Sequence, residues 1–150
     1  MQRNSAYQET LLGFAYLVAY AAYVSLSSIY LMLPPLFGLL FVHFIRALDK
    51  QQFSKLMLVS AMLVLYEIDK SHLMVSSLVY FALLYHFVVP KFRQYIDCHW
   101  CLSLLYILSA YLGFWLFSLL ISKIFWMNAP TLDWHVILYI VIEFLLVALI

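Results

Sequence analysis

The sequence has little charge. Asp, Glu, Lys and Arg make up 10% of its 150 residues, and hydrophobic residues make up 67%. Soluble domains carry about 25% charged and roughly 45–50% apolar residues, so this chain cannot form the water-facing shell of a cytosolic enzyme or a secreted domain. Its net charge of +1 supplies no basic surface for binding nucleic acid. The composition predicts an integral membrane protein.

Cysteine and glycine are also scarce. Two cysteines build no disulfide framework, and three glycines form neither a phosphate-binding loop nor a Gly-x-Ser-x-Gly elbow. A His-Glu-x-x-His motif is absent, and the interval from His43 to Asp49 is one residue too long for the His-x4-Asp box of acyltransferases. We therefore expect no enzymatic activity, no cofactor and no metal site.

What the sequence does have is long apolar runs, such as residues 11–45 and 136–150. Hydrocarbon offers the backbone no hydrogen-bond partners, so membrane spans are helices or closed barrels. Barrel strands alternate apolar and polar residues, whereas these runs are continuous. The sequence predicts an all-α, polytopic transmembrane bundle that forms a single domain over residues 1–150.

Four charged or turn-rich gaps divide the chain: Arg46–Lys55, Glu67–His72, Pro90–His99 and Lys123–Asp133. The helices predicted between and after them are Leu56–Tyr66 (extended backwards through Phe53), Leu73–Val89, Trp100–Ser122 and Trp134–Ile150. An apolar helix of about 20 residues crosses a hydrocarbon core of about 30 Å. The first of these four is the shortest and must borrow residues from 51–54 or lie in a thin membrane.

The first apolar run, Leu11–Ile45, is too long for one helix and short for two. Three serines at 25, 27 and 28 and the pair Pro34–Pro35 mark a break, because proline lacks an N–H and restricts the preceding residue. We expect two tight helices, about Leu11–Ser27 and Pro34–Ile45, and hence six short helices in all. The alternative is five helices plus a re-entrant segment.

The distribution of basic residues predicts the orientation, because cytoplasmic loops gather Lys and Arg. With six helices and both termini inside, the inner face carries Arg3, Arg46, Lys50, Lys55, Lys91 and Arg93, and the outer face carries Lys70 and Lys123. A five-helix arrangement moves Arg3 outside and weakens this bias. We expect a multi-pass protein of the inner (cytoplasmic) membrane with both termini cytoplasmic.

Glu143 is the most informative single position, because it lies near the middle of the last apolar run. Carboxylates at such depth are costly and normally face the interior of a bundle. His43 and His86 lie three to five residues inside the predicted inner boundary, so these three side chains could form an intramembrane polar site for protons or ions. The alternative is that Glu143 hydrogen-bonds a Tyr or Ser of a neighbouring helix and only fixes packing.

Two other polar features lie at predicted helix ends. The turn with Glu67, Asp69 and Lys70 is either a contact surface for a partner protein or a solvated loop; Glu67 and Lys70 have the spacing of a helical ion pair. Cys98 and Cys101 form a Cys-x-x-Cys sequence. Redox chemistry of the DsbB type normally needs a second cysteine pair, and zinc needs three or four ligands, so we interpret them as two thiols at a helix start.

Small and aromatic residues form neighbouring stripes on the first predicted helix. They are Tyr16, Tyr20 and Tyr23 beside Ala15, Ala19 and Ala22. Small residues let helices approach closely in a membrane, so we expect both stripes to pack against other helices.

The layout resembles the rod-shape-determining membrane protein MreD family. The resemblance rests on the proline-marked sequence LPPLFGLLFVHFIR and on LVLYEIDKSHLMVSSLVYFALLYHF, in which Glu67 occupies the acidic position that closes the third helix. The glycines of that family around this turn are missing, and Ser71 and Ser76 stand instead. The match covers most of the chain by layout and little by identity.

This resemblance implies a non-catalytic scaffold or accessory subunit of the cell-shape and cell-wall elongation machinery. Its partners would be the lipid bilayer, an MreC-like protein facing the periplasm, and cell-wall synthesis proteins. The alternative function is a small membrane transporter, or the substrate-binding subunit of one, that uses the Glu143 and histidine cluster.

Overall fold

A computed structural model describes residues 3–30, 32–69, 76–126 and 134–149, and this part of the chain is helical with no strand. The helices are α1 (Arg3–Ile29), α2 (Phe37–Asp49), α3 (Phe53–Asp69), α4 (Ser76–Phe87), α5 (Val89–Tyr95), α6 (His99–Phe125) and α7 (His135–Leu149). The all-α prediction is confirmed. Six of the helices have twelve or more residues and correspond in order to the six that the sequence predicts.

Several predicted boundaries are wrong. The helix α1 begins at Arg3 rather than Leu11, and α2 begins at Phe37 rather than Pro34. Leu36 has a left-handed backbone with φ of 58°, which a helix interior does not contain. The interval from Pro90, predicted as a gap, contains most of α5, because proline is tolerated in the first turn of a helix. The prediction that the third helix is the shortest is wrong, because α3 has 17 residues and α2 has 13.

Two described helices are long and apolar enough to cross a membrane by themselves. These segments are Leu11–Ile29 within α1 and Trp100–Ile124 within α6, and His135–Leu149 is a shorter apolar helix. The thirteen residues of α2 extend for only about 20 Å at 1.5 Å per residue, less than the roughly 30 Å of a hydrocarbon core.

The short helix α2 is nevertheless the centre of the bundle, because it packs against α3, α4, α6 and α7. Its first residue, Phe37, is buried, and its ring lies 5.2 Å from Tyr66, 4.9 Å from Phe81 and 4.8 Å from Phe114, centroid to centroid. Such aromatic pairs each contribute about 0.5–1.5 kcal/mol beyond the area they bury. The core is therefore an aromatic cluster around the start of α2.

The helix α1 packs along α3. Gly13 is part of this contact, since a Cβ atom there would lie 3.2 Å from Leu58 Cδ1. The predicted packing of the alanine stripe is wrong within the described structure, because Ala15, Ala19 and Ala22 are exposed. The tyrosine stripe divides: Tyr16 is exposed and Tyr20 is buried.

An ion pair between Asp49 and Arg93 closes one end of the bundle by joining α2 to α5. Arg93 Nε also donates to the Tyr106 hydroxyl at 3.2 Å, and the Tyr85 hydroxyl donates to Asp49 Oδ1 at 3.2 Å. The hydrogen bonds to Asp49 raise the pKa of Arg93 above its ordinary value. Four helices, α2, α4, α5 and α6, are held together at this end.

Candidate functional site

The carboxylate of Glu143 lies at the N terminus of α2. Glu143 is fully buried on α7, its Oε2 accepts a hydrogen bond of 3.0 Å from the Leu39 backbone N–H, and its Oε1 accepts one from the Tyr111 hydroxyl. The first N–H groups of a helix lack intrahelical partners and carry partial positive charge. Because the N-cap residue Leu36 makes no side-chain cap, the cap comes from another helix.

Gly38 makes this approach possible. A Cβ atom at position 38 would lie 2.7 Å from Glu143 Oε2 and 2.9 Å from Ile107 Cγ2, with the Ile107 Cα at 3.3 Å. Distances below 3.0 Å are steric clashes, and the Ile107 backbone is fixed within α6. Any side chain at position 38 would therefore push α2 away from both the carboxylate and α6.

The N terminus of α2 lies deep in the bundle rather than at its end. Its contacts, Ile107 and Tyr111, are near the middle of the apolar segment Trp100–Ile124. The stretch that leads to it, residues 30 and 32–36, is not helical. Backbone N–H and C=O groups that are buried outside a helix need hydrogen-bond partners elsewhere in the protein.

Two tyrosines of α1 supply part of those partners. The Tyr23 hydroxyl donates to the Pro34 carbonyl at 2.8 Å, and the Tyr20 hydroxyl donates to the Pro35 carbonyl at 3.4 Å. These are carbonyl groups that a regular helix would have paired with its own N–H groups. The helix break at Pro34–Pro35 is thus hydrogen-bonded by α1 on one side and by Glu143 on the other.

A second buried carboxylate, that of Glu67 on α3, accepts hydrogen bonds from the first described residues of α4. Its Oε1 accepts hydrogen bonds from the Ser77 backbone N–H at 2.5 Å, the Ser77 hydroxyl at 2.7 Å and the Ser76 hydroxyl at 3.2 Å. Both serines lie in the first described turn of α4. Both buried glutamates therefore accept a hydrogen bond from a backbone N–H of another helix, Leu39 in α2 and Ser77 in α4.

The remaining residues of the predicted partner-contact turn behave differently from Glu67. Asp69 is exposed, and its Oδ2 accepts a hydrogen bond from the Ser28 hydroxyl, which links α3 to the end of α1. Lys70 lies outside the described residues, as does its predicted pairing with Glu67.

The two predicted histidines make their contacts away from Glu143. His43 Nδ1 lies 3.0 Å from the Leu39 carbonyl oxygen one turn earlier on the same helix. His86 is exposed near the end of α4, with its ring edge-on to Phe87. Within the described ranges, no three His, Cys, Asp or Glu side chains are close enough together to hold a metal ion. The structure does not assemble the predicted site from these three residues.

The hydrogen bond from Tyr111 to Glu143 agrees with the packing interpretation, in which the carboxyl bonds a Tyr or Ser of a neighbouring helix. Sequence reasoning missed Gly38, although a glycine placed three residues after a proline pair that breaks a helix is a usable signal. Tyr111 carries no such signal, because it is one of 12 tyrosines in the chain.

Comparison of the chain with protein-family models, with curated proteins and with solved structures finds no match. The class that the described structure defines is an all-helical protein with two apolar helices long enough to cross a membrane.

Proposed function

We propose that this chain is a non-catalytic, multi-pass membrane scaffold or accessory subunit. The observation that carries the proposal is that both buried carboxylates, Glu67 and Glu143, accept hydrogen bonds from the backbone of another helix. Among the described residues, every buried side-chain nitrogen or oxygen has a hydrogen-bond partner. The two interior carboxylates thus join helices to one another, α3 to α4 and α7 to α2 and α6.

Membrane insertion is supported by the outer surface of the bundle. Large apolar side chains are exposed along the long helices, among them Leu11, Phe14, Leu116, Leu120 and Leu145. Many exposed large apolar side chains are costly in water, and such surface is typical of a membrane or protein interface. We propose that lipid covers it and that all six longer helices lie within the bilayer.

The orientation is supported by the basic end of the bundle. Arg46, Lys50, Lys55, Lys91 and Arg93 all lie where α2 ends, α3 begins and α5 runs. Lys123 lies at the opposite end, in the last turn of α6. Because cytoplasmic loops gather Lys and Arg, we propose that the first end faces the cytoplasm of a cell with a cytoplasmic membrane, together with both termini.

The resemblance to the MreD family makes the proposal more specific: a subunit of the cell-wall elongation machinery with an MreC-like partner. The buried position of Glu67 supports it, since an acidic residue that closes the third helix is part of that resemblance. Ser76, which replaces a glycine of the family pattern, is a donor to this carboxylate.

The partner is tested by affinity purification from native membranes in a mild detergent. We expect an MreC-like or cell-wall synthesis protein to co-purify in stoichiometric amount, and Asp69→Lys, at the predicted periplasmic end, to reduce its recovery. The matched control is Asp97→Lys, since Asp97 is also exposed but lies at the cytoplasmic end. Repeated recovery of the chain alone contradicts the proposal.

One observation favours the alternative function, a small transporter. The half-length α2 starts at mid-depth with its N terminus directed at a carboxylate, and secondary transporters use discontinuous helices whose N termini point at anionic groups. The test is Glu143→Cys in a Cys98→Ser/Cys101→Ser background, probed with a membrane-impermeant maleimide from each side. A scaffold leaves position 143 unlabelled, whereas labelling contradicts the scaffold and supports a water-filled path.

A further inference from the structure

The two cysteines form an exposed pair at the start of α6. Cys98 is the N-cap residue of this 27-residue helix, and Cys101 lies one turn further on. Both side chains are exposed and free, and their sulfur atoms are 2.8 Å apart, with the Cys101 thiol donating to Cys98.

We propose that Cys98 and Cys101 form a redox-active dithiol that is oxidised to an intramolecular disulfide by exchange with a small-molecule disulfide. The scaffold function does not depend on this proposal. A second cysteine pair is not required, because the oxidising equivalent comes from the small molecule.

A metal site fits the geometry less well than a disulfide. A structural zinc site takes four protein ligands and a catalytic one takes three, whereas the pair supplies two. Among the described residues, no further ligand completes a group of three around the pair. The two sulfurs are positioned to react with each other.

The roles of the two thiols differ. A thiolate at a helix N terminus is stabilised by the free N–H groups there. The hydrogen bond from Cys101, together with the backbone N–H groups of Cys101 and Trp100, lowers the pKa of Cys98. Cys98 is therefore the attacking thiol, and Cys101 resolves the mixed disulfide.

The exchange proceeds in two balanced steps. The Cys98 thiolate attacks one sulfur of the disulfide R–S–S–R, which forms Cys98–S–S–R and releases the first R–S⁻; this thiolate takes up the proton that Cys98 lost. The Cys101 thiolate then attacks the Cys98 sulfur and expels the second R–S⁻, which takes up the Cys101 proton. Two electrons pass from the two cysteines to the small molecule, and two R–SH leave.

The position of the cysteine pair at the basic end of the bundle indicates a role in redox sensing. Cys98 follows α5 at the basic end of the bundle, which we propose to be cytoplasmic. Disulfides in that reducing compartment are transient and serve catalysis or redox sensing rather than structure. The dithiol would report the oxidation state of the cytoplasm at the membrane surface.

The test uses the full chain in lipid nanodiscs, equilibrated with glutathione and glutathione disulfide at a series of ratios, quenched in acid and treated with polyethylene-glycol maleimide. We expect the wild type to change from two labelled thiols to none in one step, with no stable glutathione adduct. We expect Cys101→Ser to accumulate one adduct by intact mass, and Cys98→Ser to form one at least tenfold more slowly.

Three results would overturn the proposal. In the first, the wild type keeps two labelled thiols in glutathione disulfide alone. In the second, it takes up two glutathione adducts. In the third, the two single variants form their glutathione adduct at equal rates. Retention of zinc by the reduced wild type, and not by Cys98→Ser, would instead establish a metal site. Circular dichroism of each variant shows whether the helix content is unchanged, so that a difference in rate is assigned to the thiols.

Discussion

At the scale of single residues, substitution of Glu143 measures how much its hydrogen bonds to Leu39 and Tyr111 stabilise the bundle. Replacing it by leucine leaves the Leu39 N–H and the Tyr111 hydroxyl unpaired in an apolar interior, and an unsatisfied buried group costs about 1–3 kcal/mol. We expect Glu143→Leu to lower the free energy of unfolding by at least this much. Glu143→Gln should cost less, because the amide oxygen still accepts from Leu39. The free energy of unfolding of each variant is measured in bicelles by steric trapping.

The matched control for this prediction is Tyr111→Phe, which removes one hydrogen bond and leaves the carboxylate on the helix. We expect a loss of about 0.5–1.5 kcal/mol, the usual net value of one hydrogen bond. A Glu143→Leu protein as stable as the wild type would show that the capping of α2 is not a stabilising interaction.

The titration of Cys98 is a second prediction at this scale. Because the hydrogen bond from Cys101 lowers the pKa of Cys98, the thiolate is populated at lower pH than in an isolated cysteine. Removing the donor in Cys101→Ala should raise this pKa and shift the pH profile of iodoacetamide alkylation at Cys98 to higher pH. The wild-type rate comes from mass spectrometry of the peptide that carries Cys98 alone. Coincident profiles would contradict the prediction.

The sequence predicts the burial of Glu143 and a hydrogen bond from a tyrosine or serine, but it does not predict the capping of α2. Sequence signals for helix caps are local, since the capping side chain normally lies within four residues of the N–H that it accepts. Here Leu39 and Glu143 are 104 positions apart. The fold brings them together, so the pair cannot be inferred from spacing. The same reason explains why the histidine cluster, inferred from depth alone, does not form.

At the scale of elements, the break between α1 and α2 is the feature that the sequence predicts best and the starting point of α2 the one that it predicts least well. Pro34 and Pro35 exclude a continuous helix, yet the non-helical backbone continues through Leu36. The helix begins only where Gly38 can lie against Ile107 and the carboxylate. Tertiary packing thus determines a boundary that local propensity leaves open by a few residues.

Gly38→Ala tests this account. The added methyl group meets Glu143 Oε2 and Ile107 Cγ2 below 3.0 Å, and overpacking of this kind typically costs about 1–3 kcal/mol. We therefore expect a lower midpoint of thermal unfolding and loss of the α2–α6 contact, read as greater maleimide labelling of Ile107→Cys in a background without native cysteines.

Gly13→Ala is the matched control for Gly38→Ala. The nearest atom there is Leu58 Cδ1 at 3.2 Å, the end of a flexible side chain, and alanine favours a helix over glycine by roughly 0.5–1 kcal/mol. We expect stability equal to or above that of the wild type. Equal changes in stability for the two alanine variants would contradict this account, because the closer contacts at position 38 would then have no cost of their own.

At the scale of the whole molecule, apolar surface and charge are arranged in one direction. The exposed apolar side chains cover the sides of the long helices, and the basic side chains collect where α2 ends and α5 lies. A chain in water has no reason to separate them in this way, whereas a bilayer requires apolar sides and polar ends. This arrangement can be predicted from the sequence. Because successive helices alternate in direction, the position of a charged loop in the chain determines the end of the bundle at which it lies. A contact between distant residues has no such simple relation to sequence position.

The orientation gives the last prediction. In a Cys98→Ser/Cys101→Ser background, single cysteines at position 91, on α5, and at position 123, in the last turn of α6, replace exposed lysines at opposite ends of the bundle. In sealed vesicles of known sidedness, an impermeant maleimide should label Lys123→Cys from the periplasmic side and Lys91→Cys only after the vesicles are opened or inverted. The two variants control for each other's reactivity, since both react once the membrane is dissolved in detergent. Labelling of both variants from one side would mean that α6 does not cross the bilayer. Labelling of each variant from the side opposite to the expected one would mean that the bundle is inserted the other way round. The cysteine pair would then lie in an oxidising compartment, where a stable disulfide between Cys98 and Cys101 is expected instead of a transient one.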